Sequence, residues 1–266
     1  MKIFDSHCHL DDASYKNDLD EVVARARAAG VEAAMAVGIT EKTSRRAVEI
    51  AHIYPGYVAS VGVHPHDAKS CSEGVLSRLI ELAKDPKVKA WGETGLDFNR
   101  MFSPQDVQEK WFIRQLEVAD ELNLPLIFHE RDSGGRFLEI LSGRYKSSGR
   151  TGVVHCFSGT RQEMDAYLSL GLHIGITGIL TLKGRGDRIC AMAPDIDADR
   201  ILIETDAPYL TPAPEKNHTR RNEPAYVRSV LIKLAKVRGE NLELLAKTLW
   251  NNTCRLYNIP SQEGAI

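Results

Sequence analysis

Short runs of apolar and β-branched residues alternate along this chain with longer stretches whose apolar positions recur every three to four residues. The alternation repeats eight times. The short runs lie at Lys2 to His9, Val31 to Ile39, Val58 to His64, Val88 to Asp97, Leu124 to Arg131, Gly152 to Ser158, Leu172 to Thr177 and Ile201 to Asp206. Between them, positions such as Leu19-Val22-Val23-Ala26, Val75-Leu79-Leu82, Trp111-Leu116-Ala119-Leu122 and Met164-Leu168 form single apolar stripes. A stripe of that spacing turns one helix face onto a sheet, and strand followed by amphipathic helix, repeated, predicts a parallel sheet.

Eight such units in about 250 residues match the size of a TIM (β/α)8 barrel. A doubly wound open sheet would carry a Gly-rich phosphate loop after its first strand, and none follows His9. After the eighth strand come a Pro-rich stretch, Ala207 to Pro214, and two further helical segments at about Pro224 to Val237 and Leu242 to Tyr257. No Gly/Ser linker divides the chain, so the expectation is one α/β domain over residues 1–260 with extra C-terminal helices and a frayed tail, 261–266.

Charge narrows the choice of partners. The 34 Lys+Arg against 36 Asp+Glu give a formal net charge of -2, so no global basic field exists and any polyanion must be gripped locally. The five cysteines are an odd number, scattered, and form no C-x-x-C pair, which argues against a disulfide framework. The first residues lack an apolar signal core, and no run approaches the ~18 apolar residues of a membrane span. A soluble cytoplasmic protein with no obligate protein partner is expected.

The chemistry gathers at the carboxyl ends of the strands, where a TIM barrel keeps its active site. His7 and His9 are two residues apart on the first strand and share a face, with Cys8 on the other. The fourth strand carries Glu93, the fifth ends in His129, the sixth carries His155, and the eighth carries Glu204 and Asp206. Six donors exceed the three that a single catalytic zinc takes, which points to two ions. Glu93 lies between the two groups and is placed to bridge them. His7, His9 and Asp206 then fall on one ion and His129 with His155 on the other, because strands eight and one become neighbours on closure, as five and six already are. Glu204, two residues before Asp206 on the same face, is expected deeper in the barrel as an orienting group. Four imidazoles favour zinc, with Mg²⁺ and Mn²⁺ as the other divalent choices. By the same alternation Cys8 and Cys156 should face the helices as small hydrophobes.

Other residues near this rim receive weaker roles. His64 and His66 flank Pro65 where the chain turns; neither is assigned to metal, and His64 is a candidate donor to a phosphate oxygen. Arg131 shares the face of His129, and Arg161, Lys183, Arg185, Arg220 and Arg221 lie on loops or helix starts beyond the rim. Phe98, Phe157 and Tyr209 lie just after ligands and are candidates for stacking on a base. Gly175 and Gly178 mark close packing or a turn.

At these positions the sequence resembles the TatD family of metal-dependent hydrolases, within the amidohydrolase-like barrels. The resemblance rests on Asp5-Ser6-His7-Cys8-His9-Leu10, Gly62-Val63-His64-Pro65-His66, Gly92-Glu93-Thr94-Gly95-Leu96-Asp97, His129-Glu130-Arg131-Asp132, His155-Cys156-Phe157-Ser158-Gly159 and Glu204-Thr205-Asp206-Ala207-Pro208-Tyr209-Leu210, with Arg220-Arg221-Asn222-Glu223-Pro224 behind them. It implies a two-metal site with His7, His9, Glu93 and Asp206 on one ion and Glu93, His129 and His155 on the other. It also implies a deoxyribonuclease that degrades single-stranded DNA, and RNA as a further substrate, from the 3′ end. Glu130 departs from the small or neutral residue usual there. Two ions ~3.5–4 Å apart clamp both oxygens of an in-line displacement at phosphorus, and Asp206 is the choice for the carboxylate that takes the proton from water, beside Glu93. The competing expectation is an amidase or esterase, such as a D-aminoacyl-tRNA deacylase. The ligand set alone does not separate the two, and the Arg220-Arg221 pair leans towards phosphate.

Overall fold

The computed structural model describes residues 1–144 and 151–260, so the tail expected at 261–266 lies outside the described residues. Eight parallel strands follow one another around a TIM barrel in chain order: β1 (Ile3–Cys8), β2 (Val31–Val37), β3 (Tyr57–Val61), β4 (Val88–Asp97), β5 (Leu126–Arg131), β6 (Gly152–Val154), β7 (His173–Ile176) and β8 (Ile201–Ile203). The seam closes beyond β8. Cys8 bridges to Ala207 in parallel, Asp206 N donates to His7 O at 2.9 Å, and His9 N donates to Ala207 O at 2.7 Å. The buried Asp5 carboxylate fastens the same seam by accepting from Thr205 N (2.9 Å) and Thr205 Oγ1 (2.6 Å).

Helices α1 (Leu19–Ala28), α2 (Glu41–Ile53), α3 (Glu73–Leu82), α4 (Gln105–Leu122), α5 (Arg136–Arg144), α6 (Arg161–Ser169) and α7 (Asp187–Met192) run between the strands. Several ends are legible in the sequence. Thr160 and Glu163 form a reciprocal capping box that starts α6, and Asn123 takes the left-handed conformation (φ 55°) that ends α4. The two C-terminal helices are α8 (Val227–Arg238), preceded by a 3₁₀ turn at Pro224–Tyr226, and α9 (Leu242–Leu256). No described helix is long and apolar enough to cross a membrane.

Every strand but β4 is shorter than its apolar run, and three of the differences bear on the site. β5 starts at Leu126 because Pro125 has no N–H to pair. β6 and β8 stop at Val154 and Ile203, so His155, Glu204 and Asp206 stand on the segments just past the strands. The core has two layers. Phe4, Met35, Val58, Ile127, Val153 and Leu202 fill the barrel, with Cys254, Leu256 and Tyr257 from the end of α9 closing its floor, while a larger cluster lies between strands and helices.

Two irregularities decide what faces the rim. Phe4 points into the barrel, so strict alternation would carry Ser6 and Cys8 inward and turn His7 and His9 out. Pairing with β2 instead steps from Asp5↔Ala34 to Cys8↔Ala36, three residues against two. This bulge puts Cys8 among the helices, its Sγ on Met35 O at 3.3 Å, and both histidines inside. On β4 the register steps from Trp91↔Leu126 to Thr94↔Phe128, and the same one-residue excess swings Glu93 inward.

Candidate metal centre

β1, β4, β5 and the segments after β6 and β8 bring His7, His9, Glu93, His129, His155 and Asp206 together, in two groups that share Glu93. In the first group His7 Nε2 lies 3.2 Å from His9 Nε2, 3.4 Å from Glu93 Oε2 and 3.8 Å from Asp206 Oδ1. His9 Nε2 lies 3.8 Å from Glu93 Oε2 and 3.4 Å from Asp206 Oδ1. A tetrahedral ion with ligands at about 2.0–2.2 Å requires ligand-to-ligand edges of about 3.3–3.6 Å, and these five separations, 3.2–3.8 Å, bracket that range. In the second group the other carboxylate oxygen, Glu93 Oε1, is 2.8 Å from His129 Nδ1 and 3.3 Å from His155 Nε2. One oxygen of Glu93 thus serves each group.

The far nitrogens fix the tautomers. His9 Nδ1 lies 3.3 Å from Val37 O, His129 Nε2 lies 3.2 Å from Asp97 Oδ2, and His155 Nδ1 lies 3.1 Å from Glu204 Oε1. In the neutral ring each of these nitrogens therefore carries the proton, which leaves the lone pair of its partner facing the centre. His7 Nδ1 is buried with no partner among the described residues, and the ring is held by stacking on His155 at 3.7 Å. Glu204 is fully buried and also accepts from Cys156 N (2.6 Å) and Ser6 Oγ (3.2 Å). Gly175 makes room for it: a Cβ there would sit 2.7 Å from Glu204 Oε1.

The electrostatics suit a cation. Burial penalises ionised Glu93, but His155, His64 and His7 outweigh it and hold the carboxyl well below the usual range. Asp206 is likewise held low, the His9 hydrogen bond and His155 overcoming burial. Burial lowers His9, yet Asp206 drives it up to about 9, and burial lowers His129 against Asp97 and Glu93, which bring it to about 9. Burial sends His64 down to about 3.

Several expectations need correction. Cys156 does not face the helices. Strand pairing ends before it, its φ is 49°, and its Sγ comes within ligating reach of His155 and Asp206, 3.6 Å from Thr177 Oγ1. Arg221 is not free for substrate: it grips Asp18 with both terminal nitrogens (2.9 and 2.6 Å) and reaches Ser14 O and Glu223. Arg220 is exposed, and among the described residues its guanidinium has no partner. Arg131 is exposed beside Asp132 at 3.9 Å. Phe157 is buried against Tyr167 and Phe98 packs on the core, whereas Tyr209 is exposed.

His64 Nδ1 accepts from His66 N at 3.0 Å, so the proton of its neutral ring sits on Nε2, 3.4 Å from Glu93 Oε1 and 3.1 Å from His129 Nδ1. It is a donor beside the second group rather than a ligand. Asp97 was given no role in the sequence, yet it accepts from His66 Nε2 (2.7 Å) as well as from His129. Its position two residues beyond Gly95, on the inward face that Glu93 opens, was the available signal. Gly95 itself is required by close approach, since a Cβ there would overlap His129 O at 1.9 Å.

The family described as TatD related DNase matches residues 4–258 of this chain. The protein belongs to that family. Relatives in it include the 3′-5′ ssDNA/RNA exonuclease TatD of Escherichia fergusonii, 41% identical over 259 residues that make up 97% of this chain and 99% of that protein. The protein of the same name from a Rahnella species is 42% identical over 98% of this chain and 100% of its own length. Among solved structures, YJJV, a TatD homologue from Escherichia coli, superposes with a TM-score of 0.89 at 30% identity, covering 97% of this chain and 98% of its own. A TatD family hydrolase from Entamoeba histolytica gives a TM-score of 0.87 at 25% identity over 98% and 99% of the two chains. As a member of the family the chain is a metal-dependent hydrolase of phosphodiester bonds.

Proposed function

We propose that this protein is a two-metal exonuclease that removes nucleotides from the 3′ end of single-stranded DNA or RNA. The observation that carries the reading is Glu93, which offers one oxygen to His7 and His9 and the other to His129 and His155. His7, His9, Asp206 and Glu93 would hold one divalent ion, and Glu93, His129 and His155 the other. Two bound ions supply Lewis acidity at the phosphoryl group and activation of water.

The chain's own residues do the rest. Asp206 is the more open of the two inner carboxylates, 14% exposed against 2% for Glu93, so it is the one that a water at the mouth reaches and the one that takes its proton. Glu93 stays ionised and fixes the spacing of the two groups. His64, neutral with its proton on Nε2, donates to a non-bridging phosphate oxygen. Asp97 and Glu204 hold the rings of His129 and His155 in the reactive tautomer. Five cysteines without a disulfide suit a reducing cytoplasm.

Digestion of single- and double-stranded DNA and of RNA, labelled in turn at each end, across Mg²⁺, Mn²⁺ and Zn²⁺ tests the reading. Stepwise loss from the 3′ end of single strands, abolished in Glu93→Gln, is expected. A variant that keeps full activity, or turnover confined to acyl substrates such as D-aminoacyl-tRNA, refutes it.

A further inference from the structure

The segment between β4 and α4 carries an exposed aromatic residue beside the second metal group. Phe102 is 53% exposed, and its ring meets His66 edge-on at 4.8 Å. His66 in turn shares the Asp97 carboxylate with His129. The side chain is therefore two rings away from a metal ligand.

Exposure here does not come from a loose loop tip. Asp97 Oδ1 accepts from Asn99 N (3.0 Å) and Arg100 N (2.8 Å) at one end of the segment. At the other end Ser103 is fully buried, donating to His66 O at 2.9 Å and accepting from Lys69 N at 3.0 Å. Gln108 clamps both ends together, its Nε2 donating to Asp97 O (3.0 Å) and Ser103 O (2.8 Å). An apolar ring held out to solvent from anchored backbone leaves its area uncovered, and it has already lost the chain entropy that docking otherwise costs.

We infer that Phe102 is a stacking platform for one base of the single-stranded substrate, placed beside the second metal group with Arg100 exposed next to it for the backbone. This deepens the nucleic-acid reading and rests on it. The occupant follows from the surroundings: a polyanion with flat apolar bases matches an exposed ring flanked by a cation, and the ring packs on His66, whose own ring meets that of His64, the proposed phosphate donor, at 4.3 Å. The other exposed aromatic at the rim, Tyr209, stands near Asp11 and Asp12, whose carboxylates repel phosphate. The strand therefore runs over Phe102.

Oligonucleotides carrying one abasic site, moved through the first few positions from the 3′ end, test the assignment. In the native protein one position should show a KM raised about 5- to 150-fold by loss of its base, the range for stacking of one base on an aromatic ring. Phe102→Ala should raise KM for the intact strand by the same factor, leave kcat within about twofold and erase the abasic penalty. Phe102→Trp should retain it. If the penalty persists at every position in Phe102→Ala, the platform is refuted, as it is if kcat falls equally on intact and abasic strands. A second arm titrates a 2-aminopurine oligonucleotide with calcium as the divalent ion, reading stacking as quenching without turnover. Quenching in the native protein but not in Phe102→Ala, with no cleavage under any metal, overturns the exonuclease reading and leaves the platform standing. Binding without quenching overturns the platform alone.

Discussion

Glu204→Gln should weaken the ion held by Glu93, His129 and His155 and spare the other. The carboxylate touches no proposed ion; it accepts from His155 Nδ1 at 3.1 Å and from Cys156 N at 2.6 Å through one oxygen and from Ser6 Oγ through the other. Glutamine keeps the shape and one acceptor but removes the charge. A hydrogen bond to a charged group contributes about 1.5–3 kcal/mol and a neutral one about 0.5–1.5 kcal/mol, so the hold on His155 falls by ~1–2 kcal/mol. Loss of such an orienting partner costs metal affinity about 10- to 100-fold, or ~1.4–2.7 kcal/mol, and the two figures agree. Gly175→Ala attacks the same point from behind, because its Cβ would lie 2.7 and 2.9 Å from the two carboxylate oxygens, which Ser6 and Cys156 keep from retreating. Competition with a chromophoric chelator, alongside elemental analysis, separates the two binding steps. Equal weakening of both steps, or no change in either variant, would refute the reasoning.

Replacing His7 and His9 together by Ala should remove one ion and leave the other, halving the metal content measured by elemental analysis. Arg221→Ala should lower the midpoint of thermal unfolding with KM unchanged, since its guanidinium ties the loop after β8 to Asp18, whereas Arg220→Ala should raise KM for oligonucleotides without altering stability. His173 is buried at the start of β7 with Nδ1 3.3 Å from Gly152 O, and burial takes it down to about 4 from 6.5. The unfolded chain therefore binds a proton that the folded chain refuses. Stability present above pH 6.5 falls as pH drops towards 4, by about 3 kcal/mol in all, and His173→Asn should flatten that part of a urea-midpoint profile against pH.

Alternation made much of the site legible. From Ile127, Val153 and Leu202 inside the barrel, counting by twos reaches His129, His155 and Glu204, and it reaches Asp206 as well although that residue takes φ 56° beyond β8. The count fails where the backbone leaves the pleat. Cys156, one residue after His155, should face away, yet it takes φ 49° beyond the end of β6 and turns its thiol towards Asp206. Arg221 failed for another reason: its proximity to a matched segment says nothing about the carboxylate of Asp18, some two hundred residues earlier, that claims it. Phe102 was missed because exposure of a loop side chain is a tertiary property, whereas Phe98 and Phe157 were chosen by closeness in sequence to ligands and proved to be core.

His7, His9 and Glu93 face the barrel interior although simple alternation from the barrel core would turn them outward. Their spacing relative to one another is unchanged by a bulge upstream, and that spacing leaves the absolute face open. The bulges on β1 and β4 supply that face, and they sit on the two strands that carry the first group and the bridge. The second group needs none, because β5 and the segment after β6 reach it in regular register. The imidazoles are also held differently. His129 and His155 rest on the carboxylates of Asp97 and Glu204, while His9 has only a carbonyl 3.3 Å away and His7 no partner at Nδ1. A carboxylate behind an imidazole raises its basicity more than a carbonyl does, and a missing partner raises it not at all. The second group is therefore oriented from behind by carboxylates, and an ion in the first would rely on the negative charge of Asp206 and a share of Glu93.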